Sequence, residues 1–276
     1  MASTGNSLLD ELQKCVVMTE TEIDELAEYS SPDFPSCVSN GDNYWAYLLP
    51  MFSFLVLVEL SGRVSSRFDF AMLVLRVVVP MAMLIVFWIR GSYPELRIRL
   101  SAMTLVDLVV GVALAVVWIG PYVLFPNLRP DLSQSSFDPK LAGTALVPLV
   151  LGLRMIGFAF VTPFVEELFM RSFLMRYIEV FDDDQVEIGK VPMALFTWKS
   201  FLCVVGVFLA THMMWEWWVM FPWAILTTLW FYSRKDLFAV IVVHAGTNAA
   251  ILLAAIFASD LLPDGAGGTL PLWFFV

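Results

Sequence analysis

Residues 143–180 read GTALVPLVLGLRMIGFAFVTPFVEELFMRSFLMRYIEV. A helix crosses a bilayer in about 20 mostly apolar residues. Apart from Arg154, this run supplies that length before its first acid, Glu166. The rest of the chain has the same character. Of 276 residues, 59% are hydrophobic and 15% charged, with a mean hydropathy of +0.77. A soluble domain has roughly 45–50% apolar and about 25% charged residues, so an ordinary soluble enzyme is excluded. Sixteen Lys and Arg against 26 Asp and Glu exclude a nucleic-acid binder, and three cysteines exclude a disulfide scaffold. The expected fold class is all-α, a polytopic transmembrane helical bundle of about seven to eight spans.

On the same length criterion the spans are 44–60, 69–89, 102–124, 143–161 running on into 163–180, 199–216, 217–232 and 237–258. Beyond Asp260 the tail is broken by Pro263, Gly265, Gly267 and Gly268, which leaves Leu270 to Val276 to rest at the membrane interface. Four regions follow: a soluble arm (1–43), N-terminal membrane helices (44–142), a core (143–258) and a tail (259–276). The net charge of −10 belongs mostly to the arm, which carries nine acids and one base, Lys14. The arm has neither the basic n-region nor the apolar run of a cleaved signal peptide. With a cytoplasmic N-terminus, nine Lys and Arg fall in inner segments and four in outer ones. That bias favours an inner N-terminus and an outer C-terminus in a multi-pass plasma or inner membrane protein. Asp182, Asp183 and Asp184 read as a solvated cytoplasmic loop.

Ionisable side chains inside apolar spans are costly unless paired or facing a cavity, which makes each a functional candidate. They are Arg76, Asp107, Arg154, Glu166, Glu167, Arg171, His212, Glu216 and His244. Arg76, Asp107 and Arg154 are expected to serve as internal ion pairs. Thr162 and Pro163 suit an N-cap and first turn, so a helix is expected to restart there, with the carboxylates near its positive end. Glu167 and Arg171 are four residues apart, the order that favours an ion pair on one face, and Glu166 lies about 100° around the helix. One carboxylate is thus held and the other left for chemistry. The chain's two histidines, His212 and His244, both lie in apolar helical runs. His244 and Asn248 share a helix face, as do His212 and Glu216.

Groups of this kind, gathered in a cavity between helices, suit hydrolysis. A carboxylate withdrawn from bulk water is a better general base. An imidazole and an amide can then stabilise the oxyanion formed on an attacked carbonyl. A Ser or Cys nucleophile fits less well, because neither Ser172 nor Cys203 has a base beside it in sequence.

The ordered set Glu166-Glu167-x-x-x-Arg171, Phe208-x-x-x-His212 and His244-x-x-x-Asn248 resembles the CAAX-protease and bacteriocin-processing family, which includes the type II CAAX prenyl proteases. The resemblance covers roughly Ala145 to Ala258. It implies an intramembrane glutamate-type endopeptidase in which Glu166 and His212 activate water. His244 and Asn248 would form the oxyanion hole, with Glu167 and Arg171 in support. The implied partners are a membrane-associated or lipidated protein substrate and the bilayer, with no nucleic acid. Metal-free catalysis is favoured, because Asn is an uncommon zinc ligand and a natural oxyanion donor. The zinc alternative would use Glu166, His212 and His244. The competing class is a non-enzymatic transporter or binding protein lining a helix cavity with the same residues. The family's prenyl-protein proteases are drawn with eight spans, one more than this chain supplies.

Overall fold

A computed structural model describes residues 44–131, 137–182, 188–259, 261–264 and 267–276. The acidic arm, Asp183, Asp184 and Asp260 lie outside the described residues. Among these residues seven helices carry the fold: α1 (Tyr44–Ser61), α2 (Asp69–Ile89), α3 (Ala102–Leu124), α4 (Thr144–Val180), α5 (Trp198–Ala210), α6 (Trp217–Arg234) and α7 (Leu237–Phe257). No strand occurs among the described residues, only an isolated bridge between Pro263 and Thr269. The protein is an all-α integral membrane protein. Large apolar side chains such as Ile89, Val116 and Phe257 are exposed on the helices, as a lipid-facing surface requires.

Helix α7 occupies the centre. Of its apolar window 56% is buried, against 17–28% for α1 to α4. The small residues at its contact with α3 explain why it sits so deep. A Cβ at Gly111 would lie 2.3 Å from the Val243 carbonyl oxygen, and one at Gly246 would lie 3.0 Å from Leu108. Only glycine lets the two backbones approach so closely. The Thr247 hydroxyl then donates to the Gly111 carbonyl across the contact, at 3.0 Å. Helices α1 and α2 pack together and flank α4. Tyr47 of α1 stacks on Phe173 of α4 at 5.7 Å, and Val77 of α2 fills the gap over Gly157. The loop after α2 is tied to α4 through buried Glu95, which accepts from Tyr47 at 2.8 Å and from Ser172, and lies 3.5 Å from Arg176.

Two expectations are corrected. Helix α4 does not restart at Thr162 but continues through Pro163, with π-helical stretches at Ile156–Val161 and Leu168–Leu174 and no side-chain cap on its Thr162–Glu167 segment. A π-turn bonds five residues back, so the ladder shifts around the proline that lacks an N–H. Glu166 and Glu167 are therefore mid-helix and gain nothing from a helix N-terminus. Helix α5 stops at Ala210, short of the expected span to 216. Its 13 residues rise only about 20 Å, less than the ~30 Å hydrocarbon core. Among the described residues five helices are long and apolar enough to cross a membrane, and α5 and α6 are not among them.

The tail returns to the bundle instead of lying apart. Phe274 and Phe275 are buried against Tyr122, with ring centroids 6.0 and 5.1 Å away, and both pack on Trp215. Trp217 and Trp218, by contrast, are exposed.

Candidate active site

The site forms where the middle of α4 faces α6 and α7. Glu166 and Glu167 leave the helix in different directions, yet His244 of α7 reaches both. Its Nδ1 is 2.8 Å from Glu167 Oε1, and its Nε2 is 3.9 Å from Glu166 Oε2. The first contact is a hydrogen bond and the second is too long for one. Glu167 therefore fixes the ring and turns the opposite nitrogen toward Glu166. Trp223 of α6 closes edge-on over the imidazole at 4.7 Å.

Arg171 forms the expected pair with Glu167, Nη1 to Oε2 at 3.2 Å, and both side chains are wholly buried. Its Nη2 donates to Thr227 at 3.0 Å and Thr228 at 3.2 Å. Those hydroxyls can accept because each gives its own proton to a carbonyl of α6, on Trp223 or Ala224 for Thr227 and on Ala224 for Thr228. Phe208 of α5 lies under the guanidinium at 4.7 Å. Glu167 is thus held between a fixed cation and an imidazole, while Glu166, 6% exposed, makes no ion pair with an arginine among the described residues.

Asn248 follows His244 by one turn. Its Nδ2 donates to the Phe158 carbonyl at 2.8 Å, within the first π-helical stretch of α4. An amide NH₂ has two donors, so the second N–H is left for a ligand.

His212 lies past the end of α5, a correction to its expected place in a helical run. Thr211 and His212 end the helix together. The Thr211 hydroxyl donates to Val207 and Phe208, and His212 Nδ1 lies 2.8 Å from the Phe208 carbonyl. A carbonyl only accepts, so Nδ1 carries the proton and the neutral ring keeps Nε2 as an acceptor. Glu216 does not share a helix face with His212. It accepts from the Met213 backbone N–H at 2.9 Å in a short 3₁₀ turn. His212 connects to the rest of the site through aromatic rings: Trp118 packs at 6.2 Å from both His212 and Trp223, and Phe208 touches both as well.

Four of the six expected site residues, Glu166, Glu167, Arg171 and His244, therefore form one polar cluster. Asn248 adjoins it, and His212 is linked to it through Trp118, Trp223 and Phe208. Among the described residues no group of three or more His, Cys, Asp or Glu side chains is placed to hold a metal ion. The expected pairing of Asp107 with Arg76 or Arg154 does not form. Asp107 binds Arg234 at 3.1 Å and accepts from Trp230 at 3.0 Å. Sequence spacing also passed over Thr227, Thr228, Trp118 and Trp223, although adjacent threonines in an apolar helix are a readable sign of a buried donor nearby.

Residues 148–250 match the protein-family model described as type II CAAX prenyl endopeptidase Rce1-like. No curated protein and no solved structure shows a significant match to the chain.

Proposed function

We propose, with residues 148–250 placing the chain in the CAAX-protease family, that the protein is an intramembrane glutamate-type endopeptidase acting on a membrane-associated or lipidated protein. The observation that carries the reading is the placement of His244 between the two glutamates. Glu167, neutralised by Arg171, orients the ring, and Glu166 remains a carboxylate that pairs with no arginine among the described residues.

In this mechanism Glu166 takes a proton from a water that His212 Nε2 helps to hold. The water oxygen attacks the scissile carbonyl carbon. The resulting oxyanion accepts from the free Asn248 N–H and from His244 Nε2, in the form of the ring that carries protons on both nitrogens. Glu166 then delivers its proton to the leaving amine as the C–N bond breaks. The π-helical stretch at Ile156–Val161 has a direct part, because its Phe158 carbonyl sets the Asn248 amide. We read the reaction as metal-free, on the donor chemistry of Asn248, and the topology as one with a cytoplasmic N-terminus.

The test compares membranes from cells carrying the parent with those carrying Glu166→Ala or His212→Ala, each shown to be folded and inserted. New C-termini of membrane proteins, read by mass spectrometry, are expected with the parent and absent from both variants. Equal processing by either variant removes its residue from the mechanism.

A further inference from the structure

The end of the bundle where α2, α4 and α6 finish and α3 and α7 begin carries a polar cavity of about 180 Å³. One water needs only about 10–15 Å³ of such space, so there is room for a phosphate group. Glu95, Arg97 and Arg99 line the cavity from the segment between α2 and α3, Lys235 and Asp236 from the turn between α6 and α7, and Met193 from the approach to α5. The first two walls are tied to each other, because Arg234 and Trp230 of α6 both bind Asp107 of α3. Both acids in the lining have partners. Glu95 faces Arg176 at 3.5 Å and accepts from Tyr47 and Ser172, and Asp236 caps α7 by accepting from the Phe238 N–H at 2.9 Å. Arg99 and Lys235 are exposed and form no ion pair among the described residues. Lys235 also stands in the left-handed conformation that closes α6, with a φ of +48°, a place that glycine or asparagine usually takes. The cavity therefore holds uncompensated positive charge, the condition for capturing an anion.

The surroundings indicate which anion. Ile98 and Leu100, which alternate with the two arginines, are exposed apolar side chains, Leu100 by 81%. Leu105, Val109, Val112 and Val116 continue the exposed apolar surface along one face of α3. From Leu105 to Val116 the helix rises about 16 Å, the depth of one leaflet of a ~30 Å hydrocarbon core. A free phosphate would use the cations alone, whereas a phospholipid uses the cations and the stripe beside them. A choline or ethanolamine headgroup would bring its own cation against those in the lining. We propose that Arg99 and Lys235 form a site for the phosphate of an anionic phospholipid whose acyl chain lies along α3. The site involves none of the residues of the candidate active site.

The experiment titrates the full chain in mild detergent with phosphatidylglycerol or phosphatidylcholine of the same acyl chains, and counts bound lipid by native mass spectrometry. Phosphatidylglycerol is expected to bind about 10- to 30-fold more tightly, the range for two cations at a membrane surface. Arg99→Gln together with Lys235→Gln should remove the preference and leave phosphatidylcholine binding unchanged. Arg90→Gln together with Lys190→Gln takes two exposed charges from the same end of the bundle but outside the cavity, and should leave the preference intact. Equal binding of the two lipids by the parent overturns the site. So does an equal loss of preference in both double variants, the pattern of diffuse attraction. Binding of inorganic phosphate that is lost in the Arg99→Gln, Lys235→Gln protein, with no preference between lipids, assigns the cavity to a soluble anion and overturns the lipid. A preference that emerges only when Glu20, Glu22, Glu25 and Glu28 are changed to Gln gives the cavity to the chain's own acidic arm, and overturns it too.

Discussion

Replacing Arg171 with Met tests how the site is held together. The Arg171–Glu167 pair is wholly buried, and Nη1 and Oε2 have no hydrogen-bond partner to share the load. Removing one member of such a pair costs about 3–5 kcal/mol, because the other is left as an uncompensated buried charge. Two features place Arg171→Met near the lower end. Glu167 keeps its bond to His244, and Thr227 and Thr228 keep their bonds to α6 carbonyls, so no hydroxyl is stranded. The loss of the Phe208 contact adds a smaller amount. About 3 kcal/mol corresponds to roughly a hundredfold shift in the folding equilibrium. The assay is reversible unfolding in mixed micelles, followed by tryptophan fluorescence, on the parent, Arg171→Met, Glu167→Gln and the double variant. Because the double variant removes both charges, it should cost at least about 1 kcal/mol less than the two singles added together. Strict additivity, or an Arg171→Met protein within about 0.5 kcal/mol of the parent, would refute the buried-pair reasoning.

Gly111→Ala pushes a Cβ to 2.3 Å from the Val243 carbonyl, and overpacking of this kind costs about 1–3 kcal/mol. Gly120→Ala in the same helix meets nothing within 4 Å and serves as the neutral control in the same unfolding assay. Asn248→Ala removes an oxyanion donor, so kcat on a prenylated reporter should fall about 10²- to 10³-fold with far less change in KM; a fall confined to KM would assign Asn248 to substrate binding instead. Activity should survive prolonged chelation, and stoichiometric zinc in purified active protein, lost together with activity, would overturn the metal-free route. Asp107→Asn leaves Arg234 without its carboxylate and should destabilise the protein without changing KM on the reporter.

Much of this architecture was legible in the chain because hydropathy and helical spacing report on local geometry. The spans at 69–89 and 102–124 coincide with α2 and α3, and the four-residue spacing of Glu167 and Arg171 led directly to their ion pair. Three features escaped, each for a physical reason. A π-turn leaves no compositional mark, so Pro163 read as a helix start when the i→i+5 ladder carries the helix past it. The end of α5 depends on Thr211 and His212 satisfying its last carbonyls, which an apolar run continuing through Met213, Met214 and Trp215 conceals. Partners distant in sequence are the third. Asp107 meets Arg234 across 127 positions, and Trp223 meets His244 through helix packing alone, which no spacing rule describes.

The central claim is that Glu166 is the base that activates water. The most direct measurement is the initial rate of reporter cleavage by purified parent and Glu166→Gln proteins of equal thermal stability, reconstituted in the same nanodiscs. Glutamine keeps the shape of the side chain and removes its basicity, so the expected result is a rate lower by about 10²-fold or more, with binding of the reporter retained. Cleavage by Glu166→Gln at the parental rate would contradict it.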